Sequence, residues 1–335
     1  MIKARAPIFR NEFLLLGLFV FVFALMSILS PGQFLKPFTI QSMAFQLPEF
    51  GILTLAQMVI IITGGINLSI SYTAALSSIV GSVLIVSLNA AHVSPVLSIS
   101  LGILVMLGIA TLGGLFNGTF VALVGVSPIL VTLGTMTLFD GLSLLLTRGA
   151  AISGYPFAYL WFGNGTIFHV PVPMLIFVLV LIVTYYVINR TSFGMKLFMI
   201  GANPTATVFS GVNVKRVLFG LYIYSALLSG LAGVIMSSRY NSAKESYGSS
   251  YLLQSVVAAV LGGTDIVGGA GSVFGVVLAV MILQVVSTGL DILGFNRFLT
   301  NVIMGLILIG ALSLNVLGTS RAQRLAKSRT SAVVG

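Results

Sequence analysis

The sequence predicts an all-α polytopic membrane protein of about ten transmembrane helices with both termini in the cytoplasm. Three observations predict it. Hydrophobic residues make up 58% of the chain and charged ones only 7%, whereas a soluble domain carries about a quarter charged residues on its water-facing surface. Six acidic side chains build no mixed-charge surface, so most side chains must face lipid or other helices. Apolar runs also recur at bilayer length, and basic residues gather in alternate loops.

A span needs about 20 apolar residues to cross roughly 30 Å of hydrocarbon. Cutting the sequence at charges, prolines and polar clusters gives spans near 13–30, 43–63, 69–88, 95–124, 128–147, 171–189, 216–238, 251–263, 271–290 and 297–317. The eighth is short, and the fourth is long enough to be broken. The first follows Lys3, Arg5 and Arg10 and has the layout of a signal peptide. Its length, and the lack of a small-x-small cleavage site, point instead to a retained span.

Charge tests this count, because Lys and Arg collect in cytoplasmic loops. With the N-terminus inside, the cytoplasm receives Lys3, Arg5, Arg10, Arg190, Lys196, Lys215, Arg216, Arg321, Arg324, Lys327 and Arg329, which is 11 of the 16 basic residues. Lys36, Arg148, Arg239, Lys244 and Arg297 fall outside. An odd number of spans would separate the two basic ends. The chain thus divides into an N-terminal segment 1–12, a transmembrane domain 13–317 and a basic cytoplasmic tail 318–335. Loops 148–170, with Tyr155, Tyr159 and Trp161, and 239–250 lie on the periplasmic side. Each either docks a soluble partner or, for the aromatics, forms an interfacial belt.

The net charge of +10 does not indicate nucleic acid, since the basic residues sit at segment ends and form no stripe. Cysteine is absent, which excludes disulfides and thiolate ligands. The two histidines, His92 and His169, fall in outer loops, and no HExxH or Gly-x-Ser-x-Gly motif occurs. There is no Gly-Lys dipeptide and so no phosphate-binding loop. A transport protein without its own ATPase site, cofactor or metal is expected.

Polar groups within spans are the pointers to a path, because a charge at mid-helix costs roughly 2.5–3.5 kcal/mol on insertion scales. Asn117, Thr132, Thr135, Asp140, Gln284 and Asn301 qualify. Each offers a passing hydroxyl group a hydrogen bond, or else ties two helices together, and tying is the commoner role. Asp140 has Arg148 eight residues on as a pairing partner. Gly64-Gly65 and Gly262-Gly263 end spans on the cytoplasmic side, where they turn the backbone or allow close packing. Gly114-x-x-x-Gly118, extended back to Ala110, and Gly271-x-x-x-Gly275 are small-residue faces for tight contact, within the chain or between two chains.

The segment 190–216 is long, part-polar and bracketed by basic residues. Asn203 can cap a short helix with Pro204 at its first position, and Gly211 can end it. Residues 201–211, including Gly201, Asn203, Pro204, Thr205, Ala206 and Gly211, are therefore candidates for a surface against which a motor protein pushes. The plain alternative is an interfacial connector.

This segment, with its FG, GAN and TVFSG, resembles the cytoplasmic loop of the ribose, galactose and autoinducer-2 branch of ABC importer permeases. GGINLS at 64–69, GLFNG at 114–118, LVTLGTM at 130–136 and AVLGGTDIVGGAGSVFG at 259–275 match that family's signatures in order. The likeness covers roughly 50–317 and is greatest to the paired autoinducer-2 importer permeases. It departs where the family carries an acid pair, here Leu252 and Gln254, and where Gly-Gly-Ile-Asp becomes Gly-Gly-Ile-Asn, with Asn67 for the acid and Ser71 for a glycine. These departures leave the solute open, and Asn67 joins the path candidates. The resemblance implies the bacterial inner membrane, a separate cytoplasmic ATP-binding cassette protein that uses the ATP, a periplasmic substrate-binding protein and a second permease subunit. The rival is an ion-gradient-driven secondary transporter, which places ionisable groups near the midplane; few such acids are visible here.

Overall fold

The computed structural model describes residues 8–296 and, beyond them, 299–300, 302–303, 305–307 and 309–310. Most of the tenth expected span, Asn301 and the segments 1–7 and 318–335 lie outside the described residues. Helices account for most of the described residues: α1 (Ile8–Leu29), α2 (Pro31–Phe34), α3 (Pro37–Ile61), α4 (Ile70–Ala90), α5 (Pro95–Gly118), α6 (Pro128–Thr147), α7 (Phe157–Asn164), α8 (Val172–Arg190), α9 (Ser192–Ala202), α10 (Pro204–Phe209), α11 (Val214–Tyr240), α12 (Ser249–Leu261) and α13 (Val273–Ile292). Eight helices among the described residues are long and apolar enough to span a bilayer, and α12 is a shorter apolar helix. They coincide with the first nine expected spans. The long fourth span stays continuous, passing into a π-helical stretch, Thr119–Val124, before Gly125.

α3 is the centre of the molecule. Every residue from 47 to 62 is buried, so this part of the helix, apolar on all sides but for Glu49, Thr54 and Gln57, meets neither solvent nor lipid. α4, α8, α11, α12 and α13 surround it, while α1 lies outside α13 and α6 outside α4. The outer helices carry the exposed apolar surface, including Phe13, Phe21, Leu130 and Leu145, as lipid contact demands. The stripe Ala110–Gly114–Gly118 packs against Gly230, Ala226 and Phe219 of α11, which makes it a contact within the chain. Gly275 likewise meets the Gly262 carbonyl where α12 turns into α13.

The loops sort into two faces. Ser272 Oγ donates to Glu12 at 2.6 Å, the Gly269 N–H to the Ile62 carbonyl at 2.8 Å, and Lys215 Nζ to the Leu123 carbonyl at 3.3 Å. One face therefore gathers the start of α1, the turns after α3, α5 and α12, and the α9–α10 segment. It is also the face of the basic loops, the side that the charge rule expects in the cytoplasm.

On the opposite face the strands β1 (Ile152–Ser153) and β4 (Ser242–Ala243) pair antiparallel, and β2 (Thr166–Ile167) pairs with β3 (Val170–Pro171). The outer-loop tyrosines form neither a belt nor a free docking surface. Tyr159 is fully buried and Tyr155 nearly so, with Tyr159 Oη bonded to Ser237 Oγ at 2.7 Å and Tyr155 to Ser82. The phenols clamp α7 onto α4 and α11, while Trp161, Phe157 and Phe168 stay exposed.

Candidate functional sites at the two membrane faces

Between α3 and α4 the chain runs through a non-helical segment, 62–69, that doubles back along α3. Such backbone has no water to satisfy it inside a membrane and must find protein partners. Gln57, one turn before the end of α3, provides two: with its amide in the orientation that suits both neighbours, it donates to the Asn67 carbonyl at 2.8 Å and accepts from the Asn67 N–H at 3.3 Å. Thr132 of α6 accepts from the Leu68 N–H at 3.1 Å and lies 3.2 Å from the Ile66 carbonyl. The Asn67 side chain accepts from Ser69 N and Oγ just before α4, and Asn117 of α5 donates to Ser69 Oγ at 2.9 Å. Gln57, Asn67, Ser69, Asn117 and Thr132 are all buried. Three path candidates thus sit in one knot that ties α3, α4, α5 and α6. Thr135, also buried, bonds back to the Thr132 carbonyl of its own helix.

The cytoplasmic face has a second junction, made of backbone. Gly201, at the end of α9, touches the Ile62 carbonyl and Gly268–Gly269 so closely that a Cβ there would overlap both. Gly268 and Gly269 have φ of +94° and +81°, a region costly to residues with a Cβ. Glycine at all three positions lets the turns after α3, α9 and α12 meet. α10 follows directly. Asn203 Oδ1 accepts from the Ala206 N–H at 2.9 Å, Pro204 stands at the first turn, and Gly211 lies just beyond the end with φ +77°, as the sequence leads one to expect. Asn203, Pro204, Thr205, Ala206 and Gly211 are exposed, whereas Gly201 sits within the junction. Phe209, at the end of α10, is 85% exposed.

The outer half holds a cluster that the polar inventory of the sequence passed over. Glu49, on α3, is fully buried. It receives Arg239 Nε at 2.9 Å, Arg239 Nη2 at 2.7 Å, the Tyr251 hydroxyl at 2.6 Å and the Tyr240 hydroxyl at 3.1 Å. The two-pronged guanidinium–carboxylate geometry is the strongest form of such a pair, and both phenols add donors to Glu49 Oε1. Phe50 stacks on Tyr251 with centroids 5.6 Å apart. The cluster draws α3, α11 and α12 together. Nearby, Gln284 of α13, another path candidate, donates to Gln46 Oε1 at 3.3 Å, and Gln46 donates to Ser42 Oγ at 3.0 Å. Asp140 stands apart, half-exposed on α6, and no ion pair joins it to Arg148.

Beside this cluster a cavity of about 220 Å³ opens between Phe38, Gln41, Ser42 and Phe45 of α3, Asn164 of α7 and Arg239 of α11. The signal for Glu49 was present in the sequence as an acid inside an apolar run; its partners are 190 to 202 positions away, and nothing local announces them.

A sheath of lipid-facing helices, a central helix buried from residue 47 onward and irregular segments satisfied by buried amides and hydroxyls together define a polytopic α-helical membrane protein. Residues 39–312 match the family described as branched-chain amino acid transport system / permease component, and the chain belongs to that family. It is 37% identical over 302 residues to the ribose import permease protein of Bacillus subtilis, covering 90% of this chain and 91% of that one. The autoinducer 2 import system permease protein of Escherichia coli is 34% identical over 265 residues, 77% and 78% of the two chains. Its counterpart from Photorhabdus temperata is 31% identical over 307 residues, 89% of each. No solved structure matches.

Proposed function

We propose that this chain is the membrane-spanning permease subunit of a binding-protein-dependent ABC importer, and that it passes a sugar or sugar-like small molecule into the cell by alternating access. The observation that carries the reading is the match to import permeases over nine-tenths of both chains. The exposed, capped helix α10 on the basic face supports it. ATP is used by a separate cytoplasmic cassette protein, for which α10 is the contact, while a periplasmic binding protein delivers the solute and a second permease subunit completes the path. Among the earlier path candidates, Gln284 lies nearest the outer cavity, whereas Asn67, Asn117 and Thr132 shape the route by holding its walls.

The test is uptake into vesicles. Reconstituted with its cassette protein and binding protein, the chain should accumulate labelled ribose or autoinducer-2 only when ATP is supplied. Uptake driven by a proton or sodium gradient, without ATP or partners, would overturn the reading in favour of secondary transport.

A further inference from the structure

The outer cavity combines groups of an unusual selection for a membrane protein surface. Two benzyl side chains, Phe38 and Phe45, line it together with the amides of Gln41 and Asn164, the Ser42 hydroxyl and the Arg239 guanidinium. An arginine has five N–H donors. The Nε donor and both Nη2 donors of Arg239 are accounted for by Glu49 and the Tyr240 hydroxyl, and neither N–H of Nη1 takes part in these bonds. The Asn164 amide nitrogen is held by the Ser238 and Arg239 carbonyls, which fixes the plane of that side chain and leaves its oxygen as an acceptor.

Charge decides what such a cavity favours. An isolated arginine would draw an anion, but Glu49 neutralises Arg239 at 2.7 Å, and Glu49 is itself sealed from the cavity by burial. The lining therefore presents strong donors and acceptors with no net charge. A carboxylate or phosphate entering it would compete with Glu49 for the guanidinium, and an ammonium group finds no carboxylate on the wall. Neutral molecules with several hydroxyl groups suit it: each hydroxyl both donates and accepts, and their C–H faces lie against aromatic rings. Sites for drug-sized ligands run to roughly 300–1,000 Å³, so about 220 Å³ fits a molecule of few carbons.

We infer that this cavity is an outer subsite for a small neutral polyol or sugar, which Arg239, Gln41, Ser42 and Asn164 hydrogen-bond while Phe38 and Phe45 cover its apolar face. Glu49 is the positioning residue that cancels the charge of Arg239 and so excludes anions and zwitterions such as amino acids. This inference rests on the proposed import function and adds the residues that meet the solute and the exclusion of charged ones.

The chain contains no cysteine, so a single Ser42→Cys substitution gives one label site. In the assembled complex, its reaction with a membrane-impermeant maleimide should be slowed by at least one member of a panel of D-ribose, D-xylose, D-glucose and glycerol. Leucine and gluconate at the same concentration should leave the rate unchanged. A Val96→Cys control, on the outer end of α5 and 77% exposed, should react at one rate throughout. In parallel, Gln41→Leu and Phe45→Ala should raise the KM for uptake of the protecting solute about tenfold, the equivalent of one lost interaction of about 1.4 kcal/mol, with kcat little changed. If leucine or gluconate protects as well as any sugar, or if nothing protects and both variants keep the parental KM, the subsite is overturned while ATP-driven uptake stands. Absence of ATP-driven uptake in the unsubstituted complex would instead sink the import function itself.

Discussion

Glu49 and Arg239 set the terms at the scale of single residues. Two charges taken out of water each lose several kcal/mol of hydration, and their attraction offsets this only with good geometry and filled hydrogen-bond sites. Here both conditions are met by four donors on one carboxylate. Removing one partner should therefore be far worse than removing both. Arg239→Met is expected to destabilise the domain by about 3–5 kcal/mol and the Glu49→Gln/Arg239→Met pair by clearly less. Thermal unfolding in detergent would measure the cycle, and costs that simply add would show the pair to be uncoupled. Gln57 gives a second case: Gln57→Leu strands the Asn67 N–H and carbonyl, at about 1–3 kcal/mol for each buried group left unpaired. Neither role was legible in advance. Asn67, Asn117, Thr132 and Gln284 stand out by type, yet their partners come from distant segments, so composition identified the polar residues without identifying the contacts. Gln57 and Glu49 were hidden by the strength of the apolar pattern around them.

Elements were far more legible, because helix length and hydropathy are local properties and the bilayer sets the required length. The α10 helix was readable in full from Asn203, Pro204 and Gly211, since capping and termination depend only on neighbouring residues. What the local signals could not show is that Gly201 belongs to the preceding helix, α9, and locks it to the turns after α3 and α12. The two ends of the 201–211 segment should accordingly respond differently. Gly201→Val forces backbone apart at the junction and should lower both folding yield and uptake. Phe209→Ala changes an exposed side chain, where stability usually moves by less than about 0.5 kcal/mol, and should selectively weaken stimulation of the cassette protein's ATPase by solute-loaded binding protein. Equal stability losses in both variants would show α10 to be a plain structural connector. The outer element α7 behaves as a clamp, and its chemistry predicts a pH range. Burial pushes the Tyr155 phenol up to about 12 and that of Tyr159 higher still. A group whose pKa is raised on folding contributes its stability below the unfolded value, near 10, and loses it as pH climbs through the folded one. Proteolysis of the 148–170 loop should stay constant from neutral pH to about 9 and rise between about 10 and 12. Tyr155→Phe should flatten part of that rise, and an unchanged profile would remove the phenol from the clamp.

The whole molecule joins these parts into a mechanical unit, and the charge pattern orients it. One non-helical segment, 62–69, enters from the cytoplasmic face and is tied to α9 and to the turn after α12. Another, 241–248, enters from the outer face, where Ser242 and Ala243 are buried. The outer segment ends against α11 and the first turn of α4: a Cβ on Gly248 would lie 2.9 Å from Met236 Cε and 3.8 Å from Ser71 Cβ. Ser71 is 1% exposed, and its hydroxyl has no hydrogen-bond partner among the described residues. In the proposed importer, a push on α10 is expected to reach the 62–69 segment through backbone contacts, because the Gly201 junction links α9 to Ile62. On the proposed import function, Ser71 and Gly248 are the pair expected to part for solute to pass. In a chain otherwise free of cysteine, Ser71→Cys should be inert to an impermeant maleimide from either side while the complex rests. Its labelling should rise during ATP turnover with solute-loaded binding protein, and Gly201→Val should suppress that rise even in the fraction that folds. Labelling at the same rate with and without ATP would show that the Ser71–Gly248 contact does not open in the cycle, and the route would have to run elsewhere, along the outer end of α3 that carries Gln41 and Phe45.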